Sequence, residues 1–244
     1  MTEQEQGAEL APMPEDWQRA LAVVAHPDDM EYGSAGAVAK WTDEGRSVAY
    51  LLASKGEAGI DGMSPEEAGP LRVQEQIASS AVVGVHDVEF LDHPDGVITD
   101  QLALRRDFAA AIRRYRPELV ITVNHREYFP GGMFNMADHR HVGTAVLDAV
   151  RDAANRWVFR DLELPPWQGV RWIAIGGSTM DTHAVDISTT MDRAVASLRE
   201  HRAYLAALGE HGMADPAPFL REHAEETGKR FGGVLATSFE LMPV

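Results

Sequence analysis

The sequence predicts a single-domain, Rossmann-like layered α/β/α fold with a mostly parallel sheet, on three observations. Apolar runs too short to be helices alternate with segments of helical periodicity, and each run is bounded by turn-forming residues. Such alternation implies parallel strands joined by helices on both faces of the sheet. With 244 residues, 45% of them hydrophobic, the chain is long enough to bury one large core.

The elements follow in order. Residues 1–17, MTEQEQGAELAPMPEDW, carry Pro, Gly and acidic residues without periodicity, and read as a mobile N-terminal arm before a domain over 18–244. From Arg19, RALAVVA reads as a strand ending at His26, and AVAKWTDEG as a helix with Ala37, Val38 and Trp41 on one face. SVAYLLAS is the second strand, and PEEAGPLRVQEQIASSAVVG a helix expected to break near Pro70. HDVEFLD, LALRRDFAAAIRRYR and ELVITVN continue as strand, helix and strand. A Gly- and Met-rich loop, EYFPGGMFNMA, precedes the helix DHRHVGTAVLDAVRDAANRW, which Asp138 is placed to cap. The last third is less regular, with a strand GVRWIAIG, a helix from about Thr189 to Leu208 and a final strand in GGVLATSFEL.

Composition narrows the function classes. With no cysteine, disulfides, thiol nucleophiles and thiolate metal sites are all excluded, so a metal must be held by nitrogen and oxygen. A net charge of −16 without a Lys/Arg-rich block argues against nucleic acid and anionic membranes as partners. No apolar run is long enough for a membrane span and no secretion signal is visible, so the expected location is cytoplasmic. A homo-oligomer is compatible with these features.

The chemistry concentrates at strand exits. His26-Pro27-Asp28-Asp29 follows the first strand directly, where ligands bind in open α/β sheets. Two adjacent carboxylates beside a histidine repel one another unless a cation or hydrogen bonds offset them. A second histidine-rich exit follows the fourth strand, through His125 and then Asp138-His139-Arg140-His141. Together the two exits furnish two histidines and one carboxylate. On zinc that set leaves positions open for hydrolysis, and the leftover aspartate is available as a general base.

AHPDDMEYGSAG followed far downstream by ADHRHVG resembles the LmbE-like, or PIG-L, family of zinc-dependent N-acetylglucosamine deacetylases and related amidases, over roughly Ala22 to Phe239. The resemblance implies one zinc per chain held by His26, Asp29 and His139, with Asp28 as the general base that activates the water on zinc. The substrate it implies is a small N-acylated molecule, an amino-sugar or similar conjugate losing an acyl, chiefly acetyl, group. KGEAG at Lys55 to Gly59, Arg72 with Glu75, and HPDG at His93 to Gly96 also fit. By the same resemblance Arg72 and Asp95 contact substrate. The chain departs from the pattern at Met136, where such enzymes often carry a histidine, at Ala137 in place of proline, and at Phe134 in place of an aromatic hydroxyl. Asn135 is then a candidate oxyanion donor, and His125, Tyr128 and His141 are candidate proton donors.

Plainer readings stand beside these. His26 and His139 taken singly read as hydrogen-bonded or capping residues, and Arg72 with Glu75 as an exposed ion pair on a helix. Two other functions fit the same residues: a non-haem iron(II) oxygenase built on the two-histidine, one-carboxylate set, and a catalytically weakened, metal-containing sugar-binding domain. The spare Asp28 favours hydrolysis over both.

Overall fold

The computed structural model describes residues 8–244. Its strands are β1 (Ala11–Pro12), β2 (Arg19–Val24), β3 (Ser47–Leu52), β4 (Asp87–Phe90), β5 (Leu119–Val123), β6 (Trp172–Gly176), β7 (His183–Asp186) and β8 (Ala236–Pro243). The helices are α1 (Ala35–Asp43), α2 (Pro65–Val82), α3 (Gln101–Tyr115), α4 (Ala137–Ala154), α5 (Met191–Arg199), α6 (Arg202–Ala207) and α7 (Pro216–Gly228). All strands join one eight-stranded sheet in the order β1-β7-β8-β6-β5-β2-β3-β4. It is parallel except for β8, which runs antiparallel to both β6 and β7.

Strand β2 is apolar throughout because both its faces are covered. Ala22 and Val24 pack into a layer with Val38, Trp41, Leu198 and Phe239, beneath α1, α5 and α7. Leu21 and Val23 face the opposite layer with Phe108, Ile112, Val142 and Val146, beneath α3 and α4. From β2 the chain goes to β3 and β4 on one side and returns to β5 and β6 on the other. The gap between the carboxyl ends of β2 and β5 is therefore the topological switch point, where a crevice opens for ligands.

Three local expectations are corrected. The part of the N-terminal arm within the described residues is packed: Leu10, Met13 and Trp17 are buried, and Ala11 and Pro12 pair with His183 and Ala184 of β7. The rest of that arm, residues 1–7, lies outside the described residues. Helix α2 is continuous across Pro70. The missing N–H costs one bond in a helix of 18 residues, and the Ser64–Glu67 capping box secures its first turn. The helix expected from Thr189 to Leu208 is two helices, α5 and α6, separated at Glu200–His201. Strand β7 and helix α7 complete an edge that sequence periodicity did not reveal. No helix among the described residues is long and apolar enough to cross a membrane.

Candidate metal centre and active site

The turn after β2 assigns its two aspartates opposite directions. Asp29 folds back, and its Oδ2 accepts the N–H groups of Ala25 and His26, each at 2.9 Å. Its Oδ1 is left facing the Nε2 of His139 at 2.9 Å and the Nδ1 of His26 at 3.8 Å. Asp28 takes a left-handed conformation, φ 83°, which costs a non-glycine residue about 1–2 kcal/mol. That backbone points its side chain away from Asp29. Its N–H donates to Gln76 Oε1 at 2.8 Å, and its Oδ2 accepts the Nη2 of Arg72 at 2.5 Å.

Each histidine is held through its other ring nitrogen. His26 Nε2 lies 3.1 Å from Asp95 Oδ1 and 3.2 Å from Asp138 Oδ2. His139 Nδ1 lies 3.1 Å from the Oδ1 of Asn135. All three acceptors are themselves fixed. Asp138 accepts the N–H groups of Gly96 and Ile98, and Asp95 accepts that of Ala58. The Asn135 amide nitrogen donates to the carbonyls of Asn124, at 2.7 Å, and Arg126, at 2.8 Å.

His26, Asp29 and His139 therefore bring ligand atoms within 4.8 Å of one another, as do His26, Asp95 and Asp138. Of the two, the first is the group that could hold a metal ion on chemical grounds. In the second, the carboxylates are already taken up by backbone N–H groups and serve to orient His26, as acceptors behind metal-bound histidines do. The surrounding charge fits a cation: Asp28, Asp29, Asp95 and Asp138 gather around one arginine and two imidazoles. Burial works against the charged form of His26, but its hydrogen bonds to Asp138, Asp29 and Asp95 outweigh this and hold it well above its ordinary value. Burial likewise disfavours the Asp29 carboxylate, yet His139 and His26 keep it far below the usual range. Two nitrogens and one oxygen with a remaining open position suit zinc.

Asp28 is kept out of that set. Burial raises its carboxyl to about 6, against the pull of Arg72 and His201. Arg72 is buried, with Nη2 donating also to the Pro27 carbonyl at 2.7 Å and its guanidinium 4.3 Å over the Tyr204 ring. Gln76, which the sequence reading passed over, also donates to Glu31 Oε1 at 3.0 Å. The signal that would have found it is spacing, since Arg72 and Gln76 stand four apart on one face of α2.

For Arg72 and Asp95, expected to touch substrate, the contacts present are with the site's own residues, Asp28 and His26. The oxyanion role expected of Asn135 is corrected: the side chain is fully buried and its amide nitrogen is committed to two carbonyls. His141 turns its Nδ1 to the Ile98 carbonyl. His125 has a buried Nδ1 without a partner, and burial lowers its pKa. Tyr128 flanks a hairpin in which it bridges Phe134, while Phe129 N–H donates to the Met133 carbonyl at 2.8 Å. The Phe129 ring meets His139 edge-on at 5.9 Å. Met133, Phe134 and Met136 are exposed, so the loop is an apolar wall beside His139. Glu75 is no surface ion pair, since it is buried and accepts the Ala203 N–H at 2.6 Å.

An α/β sheet carrying an open two-histidine, one-aspartate set at its switch point places the chain among α/β proteins with a candidate catalytic metal centre. More narrowly, the chain belongs to the PIG-L family, described as GlcNAc-PI de-N-acetylase, whose profile matches residues 21–150. It is 29% identical over 236 residues to a diacetylchitobiose deacetylase of Thermococcus kodakarensis, covering 93% of this chain and 84% of that protein. It is 27% identical over 183 residues to a 1D-myo-inositol 2-acetamido-2-deoxy-alpha-D-glucopyranoside deacetylase of Kineococcus radiotolerans, covering 62% of this chain and 49% of that one. Its fold superimposes on N,N'-diacetylchitobiose deacetylase from Pyrococcus horikoshii with a TM-score of 0.84 at 24% identity, over 94% of this chain and 85% of that one.

Proposed function

We propose that this protein is a zinc-dependent N-deacetylase that hydrolyses the acetamide of an N-acetylated amino-sugar or similar small conjugate. The observation that carries the reading is the division of labour between adjacent aspartates. Asp29 faces both histidines, whereas Asp28 is turned aside by its backbone and held by Arg72 and Gln76. A purely structural metal site has no use for a buried, separately anchored carboxylate. The relatives support the substrate class, since their names describe deacetylation of N-acetylglucosamine-containing molecules.

His26, Asp29 and His139 would hold the zinc, which when bound polarises the amide carbonyl and acidifies a water. Asp28, with a pKa of about 6, is largely ionised at neutral pH and accepts a proton from the attacking water. The water oxygen bonds to the carbonyl carbon, the C–N bond then breaks, and the proton held by Asp28 passes to the departing nitrogen. The products are acetate and a free amine. Arg72 keeps Asp28 oriented throughout, and Asp95, Asp138 and Asn135 keep the two imidazoles in register.

The test is primary-amine release from a panel of N-acetylated amino-sugars and their conjugates by apo, zinc-loaded and iron-loaded protein, with Asp28→Asn beside each. Release that needs zinc and Asp28 and no oxygen supports the reading. A requirement for iron and oxygen would instead establish the oxygenase alternative. Sugar binding that survives Asp28→Asn, with no amine released, would establish a binding domain.

A further inference from the structure

The site lacks one component of an amide hydrolase: a donor for the carbonyl oxygen as it gains charge. The loop that bears the last ligand does not supply it, since Phe134 has no hydroxyl, Met136 no imidazole, and Asn135 no free amide hydrogen. Helix α6 starts immediately after the buried His201 and is tied to α2 where Ala203 N–H donates to Glu75. That anchor lays the Tyr204 ring over the guanidinium of Arg72, which in turn holds Asp28.

We propose that the Tyr204 hydroxyl faces the bound substrate and donates a hydrogen bond to the amide oxygen in the transition state, a proposal that rests on the deacetylase reading. The hydroxyl makes no hydrogen bond to any described residue, whereas that of its neighbour Tyr32 is spent on the Met213 carbonyl at 3.2 Å. Burial, then the charge of Asp28, and further the charges of Asp29 and Asp95 hold the phenol well above its ordinary value, with Arg72 opposing. Those influences place it in the field of the site's carboxylates and keep it protonated, as a donor must be. The sequence offered no signal for it, because Tyr204 lies 65 positions beyond His139 in the least regular part of the chain.

Two variants separate the hydroxyl from the ring. Tyr204→Phe keeps the stack over Arg72 and removes only the donor; Tyr204→Ala removes both. On zinc-loaded protein, two quantities are measured: turnover of the best N-acetylated substrate, and calorimetric affinity for a tetrahedral phosphonamide analogue of the acetamide compared with the free amine product. Zinc content and thermal midpoint confirm that the variants are folded. Loss of an oxyanion donor costs about 100-fold in kcat. Tyr204→Phe should show a loss of that order with KM nearly unchanged, and a matching loss of analogue affinity but not of amine affinity. Equal weakening of analogue and amine would overturn the proposal in favour of a sugar contact. Wild-type values in Tyr204→Phe with a defect only in Tyr204→Ala would overturn it in favour of a role through Arg72. If wild-type protein neither turns over a substrate nor binds the analogue, the deacetylase reading fails and the inference with it.

Discussion

Arg72 donates to Asp28 from α2 at 2.5 Å, and Asp28 nevertheless stands outside the group of ligand atoms formed by its neighbours His26 and Asp29. Both partners are buried, and the same guanidinium ties down the Pro27 carbonyl. The pair thus fixes the turn and the proposed base together. Removing one partner of a buried ion pair costs about 3–5 kcal/mol, most of it from the charge left behind. Arg72→Met should lower the thermal midpoint in the apo protein and reduce kcat by about 100-fold or more, while zinc affinity, which rests on other residues, changes far less. Calorimetric zinc titration beside unfolding scans distinguishes this from general collapse; zinc binding lost in parallel with kcat would contradict the separation.

Gly59 tests the same pair without touching it. A Cβ on Gly59 would lie 2.2 Å from the Arg72 Nη1, an approach that forces the buried guanidinium to move. Gly59→Ala is expected to lower kcat about 10-fold by dislodging Arg72 from Asp28, and to lower the thermal midpoint as well, though less than Arg72→Met because the buried guanidinium is displaced rather than removed. Gly62 has open space around it. Gly62→Ala should therefore behave as wild type in the same assay, and a comparable loss there would point to the loop's flexibility instead.

Asn135 ties His139, one of the three residues proposed to hold the metal, to the backbone. A histidine ligand whose outer acceptor is removed loses metal affinity by about 10–100-fold. Asn135→Ala should weaken zinc binding by that factor in a chelator-competition titration. It should also destabilise the fold, since the Asn124 and Arg126 carbonyls lose their donor and a buried unpaired group costs about 1–3 kcal/mol. Zinc affinity equal to wild type would refute the orienting role.

How much of this was legible beforehand depends on whether a residue acts locally or at a distance. The strands β2, β3 and β5 announce themselves because burial on both faces demands continuous apolar runs. The HPDD turn is legible because adjacent carboxylates beside a histidine need a cation or hydrogen bonds to offset them, and Asp28 and Asp29 each have such partners. Asp138 was read as a cap; its carboxylate instead braces His26, which lies in the turn after β2, 112 residues away. Tyr204 and the partners of Asn135 are set by packing between elements, for which one sequence carries no local pattern. The N-terminal segment failed for a related reason. A two-residue strand has no period to detect, and Leu10, Met13 and Trp17 are buried by contact with distant elements rather than by their own periodicity.

The far edge of the site gives a pH prediction independent of the metal. Glu240 on β8 accepts from both guanidinium nitrogens of Arg126, Nη1 at 2.5 Å and Nη2 at 2.8 Å, and from the Ser178 hydroxyl at 2.6 Å. Burial alone would raise its carboxyl, but Arg126 and Ser178 outweigh it and hold the folded pKa below the ordinary value of 4.5. For a depressed acid the stabilisation is fully present above the unfolded value and is lost as pH falls through the folded one. Wild-type protein should therefore exceed Glu240→Gln in thermal midpoint at pH 7, and the gap should narrow once pH falls below about 4.5 and close near the folded pKa. The measurement is a pair of unfolding series from pH 7 to pH 3 on metal-free protein. A gap that stays constant across that range would mean that Glu240 contributes through packing and hydrogen-bond shape, not through its charge.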